Sequence, residues 1–198
     1  MTEAAPPADP RPQFAAALDQ VEGQIKELAP ADLDRPTPCA DFDVRTLVAH
    51  LVAVMRKLAI VRAGGTFAEV SDPADDLGGD GRASFEAARA ELDQAWLPDA
   101  ALDVVYTLPY GSMTGRELLD AYTHEFTVHA WDLWRARGGI GELDPVLAEA
   151  ALAWYQQNVG PDERGPGRPF GPITPVHDDA DAYTQLAAYV GRSIPDAD

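Results

Sequence analysis

Positive charge is scarce in this chain. Its 15 Lys and Arg stand against 33 Asp and Glu, a formal net charge of −18 over 198 residues. Such a chain repels phosphate backbones and anionic lipid headgroups, so no nucleic acid and no membrane surface is expected as a partner. Cysteine is nearly absent. Cys39 stands alone, which excludes an internal disulfide and suits a reducing compartment. No apolar run approaches the roughly 18 residues of a membrane span. The N-terminal "MTEAAPPADPRP" has neither the basic start nor the apolar stretch of a signal peptide. The expected location is the cytoplasm. Apolar residues, by contrast, make up 46% of the chain and include four Trp, enough for a folded core.

Proline, glycine and periodicity divide the chain. Residues 1–12 read as a disordered tail, residues 13–192 as a single helical domain and residues 193–198 as a short tail. Phe14, Leu18, Val21, Ile25 and Leu28 recur at spacings of three and four, the stripe of an amphipathic helix that Pro30 stops. Pro36 and Pro38 hold the next stretch as a loop. Asp43 is a suitable N-cap for a helix from Val44 to Ala63, with Leu47, Leu51, Val54, Leu58 and Val61 inward and Gly64 and Gly65 at its end. A third helix is expected from about Arg82 to Trp96.

"LDVVYTLPYGSMTG" reads as a short extended segment and a turn. Thr114 and Glu117 then form a capping box that opens a fourth helix, running to about Arg137 and ended by Gly138. A fifth helix from about Pro145 to Asn158 and a last from about Ala180 to Val190 flank the loop 159–179. A loop this long points to function or disorder, and its Phe170 and Ile173 are placed to dock on the body. The fold class is therefore all-α: a four-helix bundle with additional C-terminal helices and a long Pro/Gly-rich loop. Such bundles build metal and ligand sites from inward side chains.

One helix face breaks the apolar pattern. At about 100° per residue, His129 lies about 40° from Glu125 and Asp132 about 20° to its other side, so the three project together with Leu118, Tyr122 and Leu133. Glu125 and His129 stand one turn apart, close enough to grip one ion, but supply only an oxygen and a nitrogen donor. His50, bordering the apolar face of the second helix, is the evident third. Two His and one Glu match open catalytic zinc sites and also serve Fe(II) or Ni(II). Asp132 can orient a ligand His or pair with an arginine such as Arg135. Cys39 reads either as a small buried residue or as a thiolate beside the site. His124, about 100° off the Glu125 face, is expected in solvent, and His177 lies in the long loop. Trp131 and Trp134 point away from the ligand face and are expected to pack against other helices.

Several stretches taken together resemble one family. "TPCADFDVRTLVAHL" is similar to the "TPC…W.VR.L..HL" segment of mycothiol-dependent maleylpyruvate isomerase-like proteins, and "EFTVHAWDLWRARG" to their "E…H.WDLA.A.G". "LPYGSMTG" and the closing "LAAYVGR" resemble the small members described as metal-binding proteins. The resemblance runs from about residue 14 to residue 192. It departs at Phe42, where the family has Trp, and at Trp134, where it has Ala.

The resemblance implies a DinB-like four-helix bundle holding a divalent metal, usually Zn2+, on His50, Glu125 and His129. Ni2+ and Fe2+ suit the same donors, and Asp132 and Cys39 stand beside them as tuning residues. It also implies mycothiol as thiol cosubstrate. A metal-bound thiol is deprotonated and nucleophilic at neutral pH. The family's isomerase carries a further C-terminal domain that supplies a substrate-binding arginine, which residues 138–198 do not match. The expected activity is therefore S-transfer of a metal-bound thiolate to an electrophilic small molecule rather than isomerisation. A metal-dependent hydrolase on the same scaffold, with water in the open position, and a non-catalytic metal- or ligand-binding protein remain the alternatives. The expected partners are a small-molecule thiol and an electrophile; a homodimer is compatible with the sequence.

Overall fold

The computed structural model describes residues 8–40, 42–75, 77–168 and 170–194. Of the expected tails 1–12 and 193–198, residues 1–7 and 195–198 lie outside the described residues. Within them run α1 (Arg11–Lys26), α2 (Val44–Arg62), α3 (Arg82–Trp96), a hairpin of β1 (Val105–Leu108) and β2 (Gly111–Thr114), α4 (Gly115–Ala136), α5 (Pro145–Asn158) and α6 (Ala182–Tyr189).

The caps explain the boundaries. α1 begins at Arg11, before the expected tail ends, because Pro12 fits the first helical turn. Arg11 is anchored there by Asp9 at 2.7 Å and Asp99 at 2.6 Å. Asp43 accepts from the Thr46 N–H at 2.7 Å, and the Thr114–Glu117 box closes with the Thr114 N–H donating to Glu117 at 2.8 Å. α6 is shorter at both ends than the sequence suggests, its start fixed by Asp181 accepting from the Tyr183 and Thr184 N–H groups. The expected extended segment is one arm of an antiparallel hairpin, with Val105 opposite Thr114 and Leu108 opposite Gly111.

The first four helices form the bundle. α1 packs along α4 and α2 along α3, with α2 also meeting α4 across the bundle. Leu18 and Val21 from α1, Leu47, Leu51 and Leu58 from α2, Phe85 and Leu92 from α3, and Leu118 and Phe126 from α4 are sealed in one core. Burying each such Leu or Phe contributes roughly 1.5–3 kcal/mol.

A second, smaller core lies on the opposite side of α4. There α5 and α6 pack on each other and on Val128 and Trp131. α4 is thus covered on several sides, and its buried residues include Leu119, Thr123, His124, Thr127, Ala130 and Trp131 besides the expected stripe. A helix wrapped in this way cannot be read from a one-faced pattern. Among the described residues no helix is long and apolar enough to cross a membrane.

Candidate metal centre

His50 on α2 and Glu125 and His129 on α4 meet where these helices cross. One donor atom from each lies within 4.8 Å of the other two. His50 Nε2 stands 3.2 Å from Glu125 Oε1. The two imidazole rings are 5.2 Å apart and steeply inclined at 76°, and Phe42 covers the far face of His50 at 5.1 Å. The geometric and family readings of the sequence named these three, and the fold brings them together.

Behind each histidine stands a carboxylate held by a cation. His50 Nδ1 is 2.8 Å from Asp72 Oδ1, and Lys57 Nζ donates to Asp72 Oδ2 at 2.7 Å. His129 Nδ1 is 2.9 Å from Asp132 Oδ2, and Arg192 donates Nε to Oδ1 at 3.0 Å and Nη2 to Oδ2 at 2.9 Å. With Nδ1 tied to a carboxylate, each ring has its Nε2 left for a ligand, the usual arrangement of metal-binding histidines. Asp132 therefore both contacts an imidazole and pairs with an arginine, but that arginine is Arg192 and not Arg135.

These contacts set the charges in the metal-free protein. Burial opposes a proton on His50, yet hydrogen bonds to Asp72 and Glu125 and their negative charges outweigh it and push the group up to about 9. Burial alone would raise the Glu125 carboxyl, but the His50 hydrogen bond and the charges of His50 and His129 hold it below the ordinary value. His129 is shifted down, chiefly by burial, against the pull of Asp132. Asp132 is fully buried and would be raised by that burial; the Arg192 charge and the His129 hydrogen bond keep it low. The centre at neutral pH thus holds one protonated imidazole, His50, where a cation would otherwise sit.

A second donor set, Cys39, His129 and Asp132, also lies within 4.8 Å. It shares His129 with the first, and both Asp132 oxygens are already engaged by Arg192 and His129. The trio with Glu125 is the better ion cradle. Glu125 keeps 34% of its side chain accessible, where it lines a cavity of about 470 Å3 together with Tyr110, Tyr122, Trp154, Tyr155 and Phe170.

Other expectations need correction. His124 is only 3% exposed, because α5 lies over that face of α4 and sets Trp154 5.2 Å from the imidazole. Trp131 does pack on α5 and α6, but with Trp134, Arg135 and His177 it also borders a separate cavity of about 560 Å3. His177 is exposed and in neither donor set. In the long loop Phe170 docks on Tyr155 at 5.5 Å, whereas Ile173 is 53% exposed.

Asp72, Lys57 and Arg192 escaped the sequence reading. Asp72 sits in an irregular loop with no periodicity to place it. Arg192 had a signal in the closing "LAAYVGR". Gly191 before it has φ +83°, and a Cβ there would fall 2.5 Å from the Gly171 backbone. Only glycine allows the two strands of chain to cross so closely and aim Arg192 inward.

The chain was compared with known proteins. The family model described as the mycothiol maleylpyruvate isomerase N-terminal domain matches residues 14–134. Two uncharacterised proteins, from two strains of Mycobacterium tuberculosis, are 30% identical to this chain over 187 residues, covering 94% of it and 99% of each relative. Two crystal structures of the mycothiol-dependent maleylpyruvate isomerase, one of them a histidine-to-alanine mutant, share its fold with a TM-score of 0.53 at 17% identity, over 77% of this chain and 74% of that one. The likeness carries the fold, a helical bundle.

Proposed function

The chain belongs to the family of the mycothiol maleylpyruvate isomerase N-terminal domain, and we propose that it is a mycothiol-dependent metalloenzyme that transfers the thiol to an electrophilic small molecule. The observation that carries this reading is the pairing of each histidine with its own carboxylate, which leaves two Nε2 atoms and the Glu125 carboxylate to converge.

His50, Glu125 and His129 would hold a divalent ion; Zn2+ suits these donors, as do Fe2+ and Ni2+. When bound, the ion supplies a thiolate at neutral pH by lowering the thiol's pKa. Asp72 and Asp132 fix the imidazole tautomers and keep both rings aimed at Glu125. Lys57 and Arg192 hold those carboxylates in place. With an ion bound, His50 would be neutral, its Nδ1–H still donating to Asp72 and its Nε2 serving as the donor atom. Phe42 shields the far face of His50 from water. Among the described residues no fourth His, Cys, Asp or Glu joins the trio within the same distance, which supports an open position for thiol.

The test is elemental analysis of the purified chain with its His50→Ala and Glu125→Ala variants, followed by mycothiol titration of the Co(II)-substituted protein. Stoichiometric metal in the parent, its loss in both variants, and a sulfur-to-cobalt charge-transfer band are expected. Full metal loading in either variant overturns the ligand assignment. A loaded protein whose spectrum ignores thiol overturns the transferase.

A further inference from the structure

The cavity beside Glu125 has a composition that the metal reading does not account for. Tyr110, Tyr122, Trp154, Tyr155 and Phe170 line it together with Glu125 and Glu163, and among the described residues no Lys, Arg or His does. The rings stand at steep angles to one another: Trp154 and Tyr155 at 89° and 5.2 Å, Tyr155 and Phe170 at 70° and 5.5 Å. Perpendicular neighbours make a corner rather than a flat wall, and the recess is bounded by rings on more than one side. The Tyr110 and Tyr122 hydroxyls meet at 2.9 Å and join the hairpin tip to α4 over one side of it. A neighbouring groove that shares Met113, Trp154 and Asn158 adds Glu117 and Asp120 and again no cation.

Two forces act on anything entering. Ring faces are the negative end of the aromatic quadrupole and attract organic cations and ring edges. The carboxylates and the −18 net charge repel anions. An ion with two positive charges would be balanced by Glu125 and one thiolate, leaving Glu163 as the uncompensated charge on the wall. Among the described residues that line this recess a dicarboxylate would meet no Lys, Arg or His. An aromatic or flat apolar group of about 470 Å3 or less fits its size.

We propose that this recess is the electrophile subsite and that it selects an aromatic, uncharged or cationic electrophile and rejects carboxylated ones. The assignment of the occupant as electrophile rests on the transferase reading; the preference of the recess for ring-bearing cations does not.

Three probes with one ring and different charge test it: phenethylammonium, 2-phenylethanol and phenylacetate, titrated by calorimetry into the full chain after chelation and again with zinc. In the metal-free chain the ammonium should bind at least about tenfold more tightly than the carboxylate at low salt, with the alcohol between them. Tyr110→Ala should weaken the ammonium and the alcohol severalfold. Tyr110 is 59% exposed, so this variant folds even if Trp154→Ala does not. Glu163→Gln should narrow the gap between ammonium and carboxylate without changing the alcohol.

Phenylacetate binding as well as the ammonium in the metal-free chain, or Tyr110→Ala leaving all three unchanged, overturns the proposal. Zinc titration and probe titration of the parent chain separate the two ideas. Probe binding without any zinc binding sinks the metal centre and keeps the recess, whereas normal zinc affinity with no probe binding does the reverse.

Discussion

The proton on His50 would compete with the proposed metal, and the competition has a size. In the metal-free protein His50 is held up to about 9 by Asp72 and Glu125, while His129 is shifted down and already offers a free Nε2. Between pH 7 and pH 9 an incoming ion must therefore displace one proton, not two. The population of neutral His50 rises about fiftyfold over that interval, so the apparent metal affinity should rise about fiftyfold, close to one decade per pH unit at its lower end. Competition with a chromophoric chelator across this range measures it, corrected for the chelator's own protonation. Asp72→Asn removes one of the two carboxylates holding the proton and should flatten the slope. The same group acts on stability with a fixed sign. His50 is raised in the folded state, so its contribution is present below pH 6.5 and is lost as the pH climbs through about 9. Metal affinity unchanged from pH 7 to pH 9, or a slope of two protons, would refute this account of the centre.

Two further perturbations test the frame around it. Arg192→Ala strands the fully buried Asp132 carboxylate that it clamps at 2.9 and 3.0 Å; the expected loss is about 3–5 kcal/mol in urea unfolding of the metal-free chain, and a loss under about 0.5 kcal/mol means that the pair is solvated. Gly115→Ala places a Cβ 2.3 Å from the Ala101 carbonyl oxygen and 2.9 Å from the Trp96 ring, so the hairpin-to-α4 junction must shift at a cost of about 1–3 kcal/mol; an unchanged melting temperature would show that the junction is soft.

The helices were legible because each of α1, α2 and α3 turns one apolar stripe to one core, and the signals that begin them are local: Asp43 before α2 and Thr114 with Glu117 before α4. Two features were not. The arm Gly111–Thr114 carries no apolar alternation, since its residues are exposed or half-buried, and only pairing with Val105–Leu108 makes it a strand. His124 looked solvated because a single-stripe reading gives α4 an outer face. α5 and α6, arriving later in the chain, remove that face, and nothing within the sequence of α4 announces them.

The candidate site divides along the same line. Glu125, His129 and Asp132 are legible because one helix fixes their relative directions. His50 is legible because an imidazole at the margin of an apolar stripe needs a polar partner. Further groups that hold these residues come from elsewhere: Asp72 from an irregular loop and Arg192 from the turn after α6, with Lys57 two turns beyond His50 on the same face of α2. Their register with the histidines depends on loop paths, and for Arg192 on the close crossing of Gly171 and Gly191. The identity of the candidate donors is therefore written in helix periodicity, but the carboxylate behind His50 and the counterion of Asp132 come from contacts between segments 22 and 60 residues apart. A bundle that kept the trio and lost Asp72 and Arg192 would still present three donors, with imidazoles free to rotate and Asp132 buried without a counterion. The metal centre should fail by loosening its rings before it loses a ligand.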